Sequence, residues 1–183
     1  MRRIIAIAIT AAASVLGIQS TARTATAPAS AQEGTVEVVR VLDGDTVVVA
    51  GWKERVRLAN IDAPEKSHGY GKPGQPFSVQ ASRWLERELQ GKPGVTIRCV
   101  DSDRYGRKVC NFYRAGQHVN KEIVRSGLAW ANTSNRRYLR DRSVLDAQRE
   151  AEAARRGLWA DNKPVEPWNW RHECWERRVC AAH

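Results

Sequence analysis

Residues 35–49, TVEVVRVLDGDTVVV, place two β-branched runs on either side of Asp43-Gly44. An Asp-Gly pair between such runs predicts a hairpin. A turn at Gly51-Trp52-Lys53 leads into RVRLANI (55–61), where apolar and polar positions alternate until Pro64 stops the strand. Lys66 to Pro76 holds three glycines and two prolines and reads as a surface loop. Phe77, Ala81, Trp84, Leu85 and Leu89 then recur at spacings of three and four. That pattern predicts a helix opened by Pro76, capped by Ser78 and ended by Gly91. VTIRCV (95–100) and VCNFYR (109–114) are the next strands, joined by a turn through Asp101 to Lys108. Two helices follow, VNKEIVRSG (119–127) and roughly 139–156, each closed by a glycine. This order predicts an α+β fold, a five-stranded OB-type Greek-key barrel packed with three helices.

The chain begins with a different pattern. Arg2 and Arg3 precede an apolar stretch from Ile4 to Ile18, and a run of small residues ends at Ala29-Ser30-Ala31. A basic start, an apolar middle and an A-x-A site predict a signal peptide over 1–31. The stretch is short of the roughly 20 residues that a membrane span needs, so no span is expected after cleavage. Export to the periplasm or the medium follows. The net charge of +10 points to a polyanionic partner. Cleavage removes Arg2, Arg3 and Arg23 without any acid, and the remainder stays basic.

Four cysteines in an exported chain read as two disulfides rather than a zinc site, whose usual spacings are absent. Of the three connectivities we expect Cys99–Cys110 and Cys174–Cys180, because each pair brackets a short local loop. The second pair belongs to a tail, 161–183, that carries Trp168, Trp170 and Trp175 and is expected to pack as a stapled appendage on the domain at 35–160.

Five side chains fit no simple folding need: Asp45, Arg57, Asp62, Glu65 and Arg107. Asp45 starts a strand, where acids are disfavoured. Asp62 and Glu65 flank Pro64, which makes the turn between them rigid. Gathered carboxylates repel one another unless a cation sits among them. Arginine forks match phosphate oxygens bidentately. Metal, carboxylate and phosphate clamp together describe a phosphodiesterase site. Lys66 and Lys72 in the Gly/Pro loop are candidate contacts to nucleic acid.

DGDT (43–46), RLANIDAPE (57–65), DRYGR (103–107) and VNKEIVRSGLA (119–129) resemble, in order, the motifs of the staphylococcal nuclease-like (thermonuclease) family. The resemblance runs from residue 35 to about 160 and implies an exported bacterial endonuclease acting on DNA and RNA with calcium. Magnesium shares the same hard-oxygen chemistry and stays open. The products implied are 3′-phosphate ends. By the same resemblance, Asp45, Asp62 and the backbone carbonyl of Ala63 hold the metal. Arg57 and Arg107 bind phosphate, Glu65 activates or positions water, and Tyr105 lies near the substrate. Ala63 stands where the family usually has threonine, a change that a carbonyl ligand tolerates. A monomer is expected. The rival of another class is a non-catalytic OB-fold nucleic-acid-binding protein of the cell envelope.

Overall fold

The computed structural model describes residues 33–180, and the expected signal peptide at 1–31 lies outside them. Glu33–Thr35 (β1), Val38–Val41 (β2), Thr46–Val49 (β3), Val56–Leu58 (β4) and Ile61–Asp62 (β5) precede a helix at Ser78–Leu89 (α1). Thr96–Ser102 (β6), Lys108–Arg114 (β7) and Gln117–His118 (β8) lead into Val119–Arg125 (α2). Trp130–Ala131 (β9), Ser143–Ala153 (α3) and Pro167–Trp170 (α4) complete the order. The fold is α+β. Its main sheet runs β1-β6-β7-β4-β3-β2 with β8 on β7, while β5 pairs with β9 separately. Only β4 with β7 is parallel. Among the described residues the path is open, with β1 and β2 at its ends and Val36 and Glu37 between them in the chain.

The pieces are shorter and more numerous than five strands and three helices. The first expected strand divides at Val36-Glu37 into β1 on one side of the sheet and β2 on the other. The third divides because Asn60 takes a left-handed conformation, φ 67°, between β4 and β5. Asparagine tolerates that region better than most residues. Here the Asn60 side chain donates to Asn111 Oδ1 at 3.2 Å and accepts the backbone N–H groups of Arg140 and Asp141 at 2.7 and 2.9 Å. Those two bonds hold 139–142 out of the helix, so α3 begins at Ser143. α1 begins after Phe77 at φ 68° with no side-chain cap, so Ser78 is its first residue rather than its cap. The fourth helix, α4, belongs to the tail.

Alternation sorts the strands. Val56 and Leu58 are buried and Arg57 between them faces away from the core. Val38, Val47, Val49, Ile97 and Phe112 join them against Ala81, Leu85 and Leu89 of α1 and Ile123 and Val124 of α2. Each large side chain buried this way contributes roughly 1.5–3 kcal/mol. At the β2–β3 turn, Gly44 packs so tightly that an added Cβ would stand 2.7 Å from the Cβ atoms of both Ala63 and Ala81. The lack of a side chain there lets the turn, and Asp45 with it, close onto the segment that carries Asp62. Both expected disulfides are present, and Cys99 faces Cys110 across β6 and β7.

Candidate active site

Asp45 ends the turn of the first hairpin. Its backbone N–H donates to Asp43 Oδ1 at 3.0 Å, and its carboxylate accepts from Thr46 Oγ1 at 2.8 Å and from the Ala63 N–H at 3.1 Å. Arg57 reaches across from β4. Its Nη1 donates to Asp45 Oδ1 at 3.2 Å, and its Nη2 lies 3.1 Å from Asp45 Oδ2. The same Nη2 donates to Asp62 Oδ1 at 2.6 Å and to the Ile61 carbonyl at 3.3 Å. One guanidinium thus ties two carboxylates from different elements, and the Asp62 side chain is only 1% exposed. Burial works against the Arg57 charge, but Asp45 and Asp62 outweigh it and hold its pKa above the ordinary arginine value.

Glu65 completes the cluster through a residue that sequence reasoning missed. Arg171, just past α4, donates from Nη2 to Asp62 Oδ2 at 2.8 Å and from Nη1 to Asp62 Oδ1 at 3.4 Å. Its Nη1 also donates to Glu65 Oε1. Burial pushes the Glu65 carboxyl up to about 7; Arg171 pulls it down, and Asp45 and Asp62 add to the rise. Burial likewise opposes the Arg171 charge, and Asp62 and Glu65 reverse that and raise its pKa. Two clues to Arg171 existed. Three carboxylates beside Arg57 alone leave two negative charges unbalanced, and Arg171 directly follows a tryptophan in a stapled segment.

The Gly/Pro loop connects the two halves of this arrangement. Gln75 accepts the Glu65 N–H at Oε1, donates its own N–H to the Glu65 carbonyl, and donates from Nε2 to the Val165 carbonyl at 2.5 Å. The indole N–H groups of Trp170 and Trp175 both donate to the Pro73 carbonyl, at 3.3 and 2.9 Å. Trp170 is buried and the Lys72 ammonium lies 5.6 Å from the Trp175 ring centroid. Lys66 is engaged as well, donating from Nζ to the Leu42 carbonyl at 3.0 Å.

Arg107 stands apart from this network. Its Nε donates to Asp103 Oδ2 at 2.7 Å within its own turn, and Asp103 Oδ1 accepts the N–H groups of Tyr105 and Arg107. Burial would raise the Asp103 pKa, but the bonds from Arg107 overcome it and lower it. Arg107 is one residue ahead of β7, and in the parallel pairing with β4 Lys108 lies opposite Val56 and Val109 opposite Arg57. The turn therefore stands beside Arg57 in the sheet. Tyr105 is exposed, and it lines a cleft of about 560 Å³ with Arg107, Gly106, Lys53, Glu54 and Arg55.

Among the described residues no three His, Cys, Asp or Glu side chains group as metal ligands. The expected set has only two carboxylates, Asp45 and Asp62, both within reach of one nitrogen atom of Arg57. Adding the Ala63 carbonyl gives a donor set made wholly of hard oxygen atoms, which suits calcium or magnesium with water filling the rest and does not suit zinc.

The family model for staphylococcal nuclease homologues matches residues 55–161. A protein of Escherichia coli O157:H7 described as an uncharacterized endonuclease is 41% identical over 141 residues, covering 74% of this chain and 83% of its own. A second uncharacterized endonuclease, from Haemophilus influenzae, is 39% identical over 147 residues, covering 79% of this chain and 76% of its own. A micrococcal nuclease of Shigella flexneri is 37% identical over 149 residues, covering 74% and 79%. The chain belongs to the staphylococcal nuclease family. Asp45 precedes the segment matched by the family model and Arg171 follows it.

Proposed function

We propose that this chain is an exported, metal-dependent endonuclease that hydrolyses DNA and RNA to 3′-phosphate ends. The observation that carries this reading is the Arg57 guanidinium fixed between Asp45 and Asp62, with Glu65 beside them. A preorganised positive group next to a carboxylate that can take a proton is what phosphodiester hydrolysis requires. A protein that only held nucleic acid would gain nothing from buried carboxylates, which repel a phosphate backbone. The sheet order supports an OB-type barrel, with 33–41 as one bent strand serving both edges.

In this mechanism Arg57 and Arg107 bind the non-bridging oxygens of the scissile phosphate and stabilise the charge that builds there. Glu65 accepts a proton from the attacking water. A bond from that water to phosphorus forms, the bond to the 5′ oxygen breaks with that oxygen taking up a proton from solvent, and the phosphate remains on the 3′ side. Asp45, Asp62 and the Ala63 carbonyl are the residues to hold calcium, which when bound supplies further positive charge to the same phosphate. Tyr105, Lys66 and Lys72 line the path of the flanking nucleotides. Two disulfides and a basic chain suit an exported protein that meets polynucleotides outside the cytoplasm.

The test is incubation of the purified protein with plasmid and with RNA, in calcium, in magnesium and in chelator. Cleavage of both in calcium, lost in chelator, is expected. Product ends should resist polymerase extension until treated with a phosphatase. Retarded but intact polynucleotide in every buffer would overturn the reading in favour of a binding module.

A further inference from the structure

We propose that Arg171 is a positioning residue of the active site, delivered by the C-terminal arm to orient Glu65. The inference rests on the nuclease reading above and extends it beyond the residues the family model matches. Glu65 follows Pro64 at the head of the long Gly/Pro loop, with no strand or helix around it to fix its side chain. Among the described residues, the hydrogen bond that its carboxylate accepts comes from Arg171. That bond takes Oε1 and leaves Oε2 free for a water molecule. The Arg171 fork is itself set by its two bonds to Asp62, so the carboxylate it holds through Nη1 is fixed in direction, whereas one on a free loop samples several rotamers.

The arm is built to hold Arg171 still. Residues 171–176 form a π-helical segment continuing from α4, with Trp170 and Cys174 buried at 4% and 1% exposure. Trp170 and Trp175 converge on the one carbonyl of Pro73, and the Cys174–Cys180 bridge closes the far end. Arg178 adds a bond to the Gly71 carbonyl. The bonds from Trp170, Trp175 and Arg178 all fall on the loop that Glu65 heads, while the bridge is internal to the arm. Gln75 repeats the pattern, its amide oxygen accepting from the Glu65 backbone and its amide nitrogen donating to Val165 of the arm. The arm and the Glu65 loop therefore set each other's position. Arg171 is the point where that fit reaches the reacting groups.

The test is a double-mutant cycle of Arg171→Ala and Glu65→Gln, with Arg171→Lys as a second variant. Arg171→Ala should lower kcat by about 10–100-fold, the usual cost of losing a group that orients a reacting ligand, with KM for polynucleotide little changed. Arg171→Lys should recover part of the loss. In the Glu65→Gln background, Arg171→Ala should cost less than about 3-fold, since a shared role is spent only once. The same cycle read by thermal unfolding in chelator should give Tm losses that do not add. A full loss that persists in the Glu65→Gln background overturns the proposal, as do additive Tm losses. A rise in kcat on Arg171→Ala also overturns it and makes the arm a plug. If the wild type cuts while Arg171→Ala cuts equally well, this inference alone fails. If the wild type cuts nothing, the nuclease reading fails and takes the proposal with it.

Discussion

Arg57 and Arg107 are the two guanidinium groups proposed to grip phosphate, and the fold treats them differently. Arg57 draws its carboxylate partners from 12 residues before it and 5 residues after it, on separate elements. Arg107 draws its partner from its own turn, four residues earlier. Arg57 is thus locked by tertiary structure, and its geometry exists only in the finished fold. Arg107 is organised by a local loop that could form in a short peptide. A non-local clamp is rigid before substrate arrives, whereas a local one can be released from Asp103 when a phosphate competes for it.

The largest expected effect breaks the locked side. Arg57→Ala should reduce cleavage by at least about 10³-fold, more than removal of a single stabilising donor, because it also frees Asp45 and Asp62 from a common anchor. It leaves the Asp45 carboxylate buried without its cation, so a stability loss of about 3 kcal/mol is expected in chelator. Urea unfolding with and without calcium measures both. The variant should gain more stability from calcium than the wild type does. Equal gains in the two proteins would mean that Arg57 and the ion do not share these carboxylates.

Arg107→Ala comes next, with a loss of about 10²-fold in kcat and a urea midpoint close to that of the wild type. A variant that unfolds as readily as Arg57→Ala would erase the contrast between the two arginines. Asp103→Asn sharpens it at smaller cost. It weakens the pairing with Arg107 but keeps an oxygen for the N–H groups of Tyr105 and Arg107, so a loss under about 10-fold is expected. Loss as deep as that of Arg107→Ala would show that Asp103 acts on the reaction itself.

The same contrast explains what the sequence disclosed. Asp43-Gly44, the strand alternation around Arg57 and the rigid Asp62-Pro64-Glu65 turn are local patterns, and each is read from neighbouring residues. The cysteine pairs are local too and both formed as expected. Arg171 is 109 residues from Asp62 and 106 from Glu65, in a segment without periodicity. No spacing rule connects them; an imbalance of charge hints that a cation is missing, and the tryptophan before Arg171 in the stapled tail is the one local mark of where it sits. The break at Asn60 escaped for the same reason. Its partners, Asn111, Arg140 and Asp141, lie far along the chain and override the strand pattern of RVRLANI.

The smallest predicted effect approaches the locked side from behind. Asn111 Oδ1, which accepts from Asn60, also lies 3.2 Å from His118 Nε2, so that nitrogen carries the proton. The ring stacks on Tyr113 with centroids 4.8 Å apart, and Nδ1 is 3.7 Å from Asp141 Oδ2. Burial lowers the His118 pKa; Asp141 and Glu122 oppose it, while Lys121 reinforces it. A histidine whose pKa falls on folding stabilises the native state while neutral. That contribution is complete above the unfolded pKa of about 6.5 and is lost as pH drops through the folded value. Tm should therefore decline between pH 7.5 and pH 5 more steeply in the wild type than in His118→Gln, which cannot titrate. The decline should loosen the Asn60 bend that sets Asp62 against Arg57, and leave the Arg107 turn untouched. Amide exchange separates the two regions: at pH 5 protection should fall in the wild type at Asn132, whose N–H bonds the Asn60 carbonyl, but hold at Arg107. Parallel Tm curves for the two proteins, or equal loss of protection at both amides, would sink this assignment.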